Sequence, residues 1–112
     1  MSCKGVWGVE IKGPYGWERI GTAFLKNGEY LAAGLNHYSI GTYKEDGDNI
    51  EISSVVTQHG QLRTIFGQKY AGDLHVKSKC KIKQNKIIGT TRPKGIKKSD
   101  LMIRLTRLRD FD

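Results

Sequence analysis

Cysteine and proline each occur only twice in 112 residues, and no apolar run approaches the ~20 residues that a membrane-spanning helix needs. Two cysteines, Cys3 and Cys80, are too few for a disulfide framework. The first residues, Met1-Ser2-Cys3-Lys4-Gly5, contain no apolar stretch of the signal-peptide kind. Together these absences point to a soluble cytoplasmic protein with no membrane association. No internal repeat, linker or low-complexity tract divides the chain, so 1–112 is expected to form one domain.

Catalytic signatures are missing as well. There is no Gly-x-Ser-x-Gly, phosphate-binding loop or Gly-x-Gly-x-x-Gly. His37, His59 and His75 are far apart, and neither cysteine has a Cys-x-x-Cys partner. The expectation is a non-enzymatic protein without metal or cofactor. His37 and His59 are expected on a strand surface or in loops, and Cys3 as an exposed terminal thiol.

What the chain has in quantity is glycine, 14 residues spread throughout, which suits turns and barrel corners and disfavours helices. Trp7, Val9 and Ile11 alternate with Gly8, Glu10 and Lys12, the period of a half-buried strand. Further strands are read over Glu18–Leu25, Tyr30–Leu35, His37–Tyr43, Ile50–Thr57, Leu74–Lys83, Lys86–Arg92 and Asp100–Leu108. Asn27-Gly28 tolerates the positive φ of a tight hairpin turn. Glu45-Asp46-Gly47-Asp48-Asn49 and Gln84-Asn85 mark two more turns, and Gly13-Pro14-Tyr15-Gly16 another. The segment from Gln58 to Asp73 fits neither a clear strand nor a simple turn. About eight hairpin-connected strands favour an all-β, eight-stranded antiparallel up-and-down barrel, because closure removes exposed edges. Its expected interior is Trp7, Val9, Ile11, Phe24, Tyr38, Ile40, Tyr43, Ile52, Val76 and Ile103. Of these, Trp7, Val9, Phe24, Tyr38, Ile40, Tyr43 and Ile52 would line a cavity if an apolar small ligand binds there.

Charge divides the chain. Residues 1–68 carry 6 Lys/Arg against 7 Asp/Glu, a net of −1, and residues 69–112 carry 13 against 4, a net of +9, so the whole of the net +8 comes from the second part. In Leu74–Lys83 the odd positions Lys77, Lys79, Lys81 and Lys83 face away from Val76, Ser78, Cys80 and Ile82. With Lys97 and Lys98 they form a basic surface, either a solvated face or a contact for nucleic acid. No aromatic residues are interleaved to stack bases.

Several residues in order bear a family likeness: Gly5 and Trp7, Gly21 with Leu25-Lys26-Asn27-Gly28, Tyr38, Gly41 and Tyr43, Phe66-Gly67, and Leu105 with Arg107-Leu108. In this the chain resembles the GrlR-like proteins, lipocalin-like barrels whose founding member is a negative regulator of a type III secretion locus. The resemblance implies a dimer, a partly apolar cavity and regulation through a protein partner, in the founding case a transcriptional activator. That activator is met by an acidic loop matching Glu45, Asp46, Gly47 and Asp48, with Gly47 in place of an acidic residue. Trp7 beside Arg104 or Arg107 would match the barrel closure of lipocalin-like folds, through packing and cation–π contact.

Overall fold

A computed structural model describes residues 3–13, 16–35, 37–59, 73–94 and 101–110. The expectations for Pro14 and Tyr15, for Asn36, for Phe66-Gly67 and the rest of 60–72, and for Lys97 and Lys98 lie outside these residues. Eight strands follow one another: β1 (Gly5–Gly13), β2 (Gly16–Lys26), β3 (Glu29–Ala33), β4 (His37–Asp46), β5 (Asn49–Gln58), β6 (Asp73–Lys83), β7 (Lys86–Pro93) and β8 (Leu101–Asp110). Each pairs antiparallel with its neighbour, and β1 pairs with β8, closing an up-and-down barrel. Among the described residues no helix is long and apolar enough to cross a membrane.

Tight turns gather at one end. Asn27 and Gly28 adopt φ of 52° and 81°, the pair of positive values that a two-residue hairpin demands. Gly47-Asp48 and Gln84-Asn85 turn beside them. This end is sealed and dry: Cys3, Trp7, Leu25, Ile50, Ile87 and Leu105 are fully buried there. Ala23 lies opposite Trp7 in the β1–β2 ladder, where its small side chain leaves room for the indole. Toward the other end the interior turns polar, with His37, Ser39, Ser78 and Thr91 among Val9, Ile11 and Ile103.

Three expected interior residues face outward instead. Phe24, Tyr38 and Ile40 are 42%, 39% and 58% exposed. Alternation explains each one. β4 pairs with β5 without a shift from His37 opposite Gln58 to Asp46 opposite Asn49. In an unbulged strand Tyr38 and Ile40 cannot share a face with Tyr43. Tyr43 sits opposite the buried Ile52, so the odd positions His37, Ser39, Gly41 and Tyr43 point inward. In β2 the fully buried Ala23 and Leu25 likewise turn Phe24 outward. His37 is therefore an interior residue, not a surface one. Cys80 is buried, as the β6 alternation requires.

Gly41 marks where β4 and β5 press closest. A Cβ there would collide with the Ser53 carbonyl oxygen, a backbone atom that cannot rotate away. Gly41→Ala is expected to cost about 1–3 kcal/mol of stability through this overpacking. A thermal melt followed by circular dichroism should show a fall in Tm of several degrees; an unchanged melt would contradict the close approach.

Candidate functional site

The sealed end is held by contacts between residues remote in sequence. The Arg107 guanidinium lies 4.4 Å over the Trp7 ring, donates to the Lys4 carbonyl at 2.9 Å and pairs with Asp110 at 2.6 Å. Trp7 Nε1 donates to the Cys3 carbonyl at 2.9 Å, and Cys3 N–H donates to Glu45 Oε1 at 3.0 Å. Arg107 thus closes the barrel, while Arg104 sits outside, 4.2 Å over Trp17 and 3.1 Å from Glu10.

This network corrects one expectation. Cys3 is fully buried, because its backbone is gripped from both sides. Its thiol is pushed up to about 12, first by burial and then by the Glu45 carboxylate; burial alone takes Cys80 to about 12. Neither is a thiolate nucleophile near neutral pH. In the acidic loop, Glu45, Asp46 and Asp48 are all exposed, and one oxygen of Glu45 accepts from the N-terminal segment. The Asp48 carbonyl accepts from Ile82 N–H at 2.7 Å, and Asn49 pairs with Lys81, so this turn stands beside the lysines of β6.

The interior offers little room. A cavity of about 40 Å³ lies among Val9, Ile52, Val76, His37, Ser39 and Ser78. That suits water rather than an apolar ligand. Of the residues expected to line a ligand cavity, only Val9 and Ile52 border it; Trp7 and Tyr43 belong to the packed core. Ser78 Oγ donates to Thr91 Oγ1 at 2.9 Å within the barrel. Burial, reinforced by His59, lowers the His37 pKa. Burial pushes the Tyr30 hydroxyl well above its usual range.

The outer surface has two distinct regions. The ladder places Phe24 opposite Leu31, Leu31 opposite Ile40, and Ile40 opposite Val55. These residues form one outward row across β2–β5, with Thr22, Ala33, Tyr38, Thr42, Ser53 and Thr57 around it, none of them charged. Charged residues return toward the tight turns, at Lys26, Glu29, Lys44 and Glu51. Beyond the row, Lys77, Lys79, Lys81 and Lys83 all face outward as expected. A groove of about 690 Å³ runs over β4–β7 between Ile40 and Val55 on one side and His75, Lys77, Lys79, Arg92 and Lys94 on the other. Lys77 also pairs with Glu51 at 2.9 Å. The apolar row was missed by sequence reasoning, although one signal was present: Tyr38 and Ile40 have the opposite parity to Tyr43, so one set had to lie outside.

Among the described residues, no group of three or more His, Cys, Asp or Glu is placed to hold a metal ion. No protein-family model matches the chain, and no curated protein matches it.

Two outcomes follow from the buried groups. Arg107→Ala removes the ring contact and a charged hydrogen bond, and should lower the unfolding free energy by about 2–4 kcal/mol in urea titrations. For His37 the folded state resists protonation, so the unfolded chain takes up the proton first as pH falls. This part of the stability is intact above about pH 6.5 and is lost progressively below it. His37→Gln should flatten that slope; an unaltered pH profile would remove His37 as its source.

Proposed function

We propose that this protein is a non-enzymatic regulator of the GrlR-like type that acts by protein–protein contact and pairs with a second copy of itself through the outer face of β2–β4. The observation that carries the proposal is the uncharged row Phe24–Leu31–Ile40, exposed at 42%, 49% and 58%. Large apolar side chains aligned in register, with charge excluded from the centre and present at the margin, have the composition of an interface core. A second copy is the fitting occupant because the row is straight and runs across the strands, so a two-fold axis at Leu31 sets Phe24 of one copy against Ile40 of the other.

Size agrees with this. The barrel measures 37 × 25 × 25 Å, so one flank presents roughly 900 Å², close to the ~800 Å² per partner of a standard interface. A closed barrel has no free strand edge, which leaves side chains on its outer face to make contact. The regulatory role and a transcriptional activator as partner rest on the family resemblance, in which Glu45, Asp46 and Asp48 are the acidic contacts.

Sedimentation velocity tests the pairing. The wild-type protein should be dimeric at micromolar concentration. Leu31→Glu with Phe24→Glu should weaken association by at least about tenfold, with the circular dichroism spectrum retained. A wild-type protein that stays monomeric at high micromolar concentration would end the proposal.

A further inference from the structure

We infer that the groove over β4–β7 binds an acidic, leucine-bearing extended segment of a partner protein, an inference that rests on the reading of this chain as a protein-contact module. Three observations carry it: the groove's shape, its charge and the chemistry of its floor. On the outer wall over β4–β7 there is a depression of about 690 Å³. Its basic side is set by strand geometry. Lys77 and Lys79 are alternate residues of β6, with Lys77 opposite Arg92 of β7 in the ladder, and Lys94, just past the end of β7, is held beside β6 by its N–H donating to the His75 carbonyl at 2.8 Å.

Alternate residues on a strand are about 6.6–6.8 Å apart, and so are alternate side chains of an extended peptide. A segment lying along β5 and β6 can therefore present successive inward-facing carboxylates to successive cations. The Lys77–Glu51 pair at 2.9 Å already makes this type of contact within the chain. The floor and apolar side are Ile40, Val55, Gly41 and Ser53, which accept an aliphatic side chain.

The same chemistry argues against the other anionic partners. Single-stranded nucleic acid needs rings on which to stack its bases, and among the described residues lining the groove the imidazole of His75 is the sole ring. A membrane surface meets convex or flat protein faces rather than a depression. Strand addition is closed off, because β4 to β7 are each paired on both sides. Recognition must run through side chains, which makes carboxylate spacing and one aliphatic anchor the determinants. Pairing of two copies about Leu31 covers Ile40 with Phe24 of the second copy, so Val55 is the aliphatic anchor left to the segment, and Lys79, Arg92 and Lys94 lie beyond that interface.

The test uses fluorescence anisotropy with four probes: a labelled twelve-residue peptide in which two acidic residues precede each leucine, the same peptide with serine for leucine, a twelve-nucleotide thymidine strand, and phosphatidylserine–phosphatidylcholine vesicles. The leucine peptide should bind best, lose affinity as salt is raised, and bind about tenfold or more weakly to Lys79→Glu with Lys94→Glu. The milder pair Lys79→Gln with Lys94→Gln should give an intermediate loss, and Val55→Ser should erase the preference for leucine over serine. Equal binding of the two peptides would overturn the groove, since charge alone would then suffice. Tighter binding of the thymidine strand or the vesicles, lost in the same lysine variants, would overturn the peptide as its occupant. If the protein sediments as a dimer and the leucine peptide does not bind, the groove inference fails and the pairing stands.

Discussion

Pairing of the first strand with the last is the constraint on which the rest of this structure depends. β1 and β8 are brought together from opposite ends of the sequence, and their ladder makes the barrel a closed surface. Such long-range closure costs loop entropy that local hairpins do not. It is held at the sealed end by Arg107 lying over Trp7 and reaching the Lys4 carbonyl. On the outer wall Arg104 joins Glu10 and Trp17 across the same seam. Two arginines of one strand thus clamp the seam from its two sides. Once it is shut, each strand has a neighbour on either side, and backbone hydrogen bonding is no longer on offer to a partner.

That closure explains why function is sought on the outside. The interior near the tight turns is filled by large side chains, and the void farther along is small, lined by aliphatic side chains with His37 and a few hydroxyls among them. What the barrel presents is its wall, and the wall is asymmetric. β2 to β5 carry the uncharged row; β6 and β7 carry the cations. The uneven charge along the chain becomes an uneven charge around the barrel because up-and-down order keeps sequence neighbours as spatial neighbours.

Much of the fold could be read from local chemistry. Asn27-Gly28 announced its turn, and the strict alternation from Leu74 to Lys83 announced β6 with the correct inner face. Local chemistry failed where both parities of a strand are apolar. Tyr38, Ile40 and Tyr43 give no preference on hydrophobicity alone, and only the pairing of Tyr43 with Ile52 decides between the faces. Phe24 was misplaced for the same reason: Ala23 and Leu25 form the competing set. The burial of Cys3 could not be read either, because its partners are the side chains of Trp7 and Glu45, the latter 42 residues away. His37 inherits its interior position from Tyr43 rather than from its own character.

The ambivalence of β4 has a consequence for how the chain reaches this state. Sliding β4 by one residue against its neighbours would turn Tyr38 and Ile40 inward and expose Tyr43, so hydrophobic collapse by itself offers two nearly competitive frames. Such a strand is a point of frustration, where a compact misregistered intermediate can form and present the wrong face. The choice falls to features that are not apolar. The Gly47-Asp48 turn fixes the frame at one end, and Gly41 is the residue without a side chain where β5 comes closest. In this frame a Cβ at position 41 would meet the Ser53 carbonyl, so the observed alignment is one that needs glycine there. The glycine therefore acts as a register key, and the outward row that equips this barrel for contact exists because that key admits this alignment.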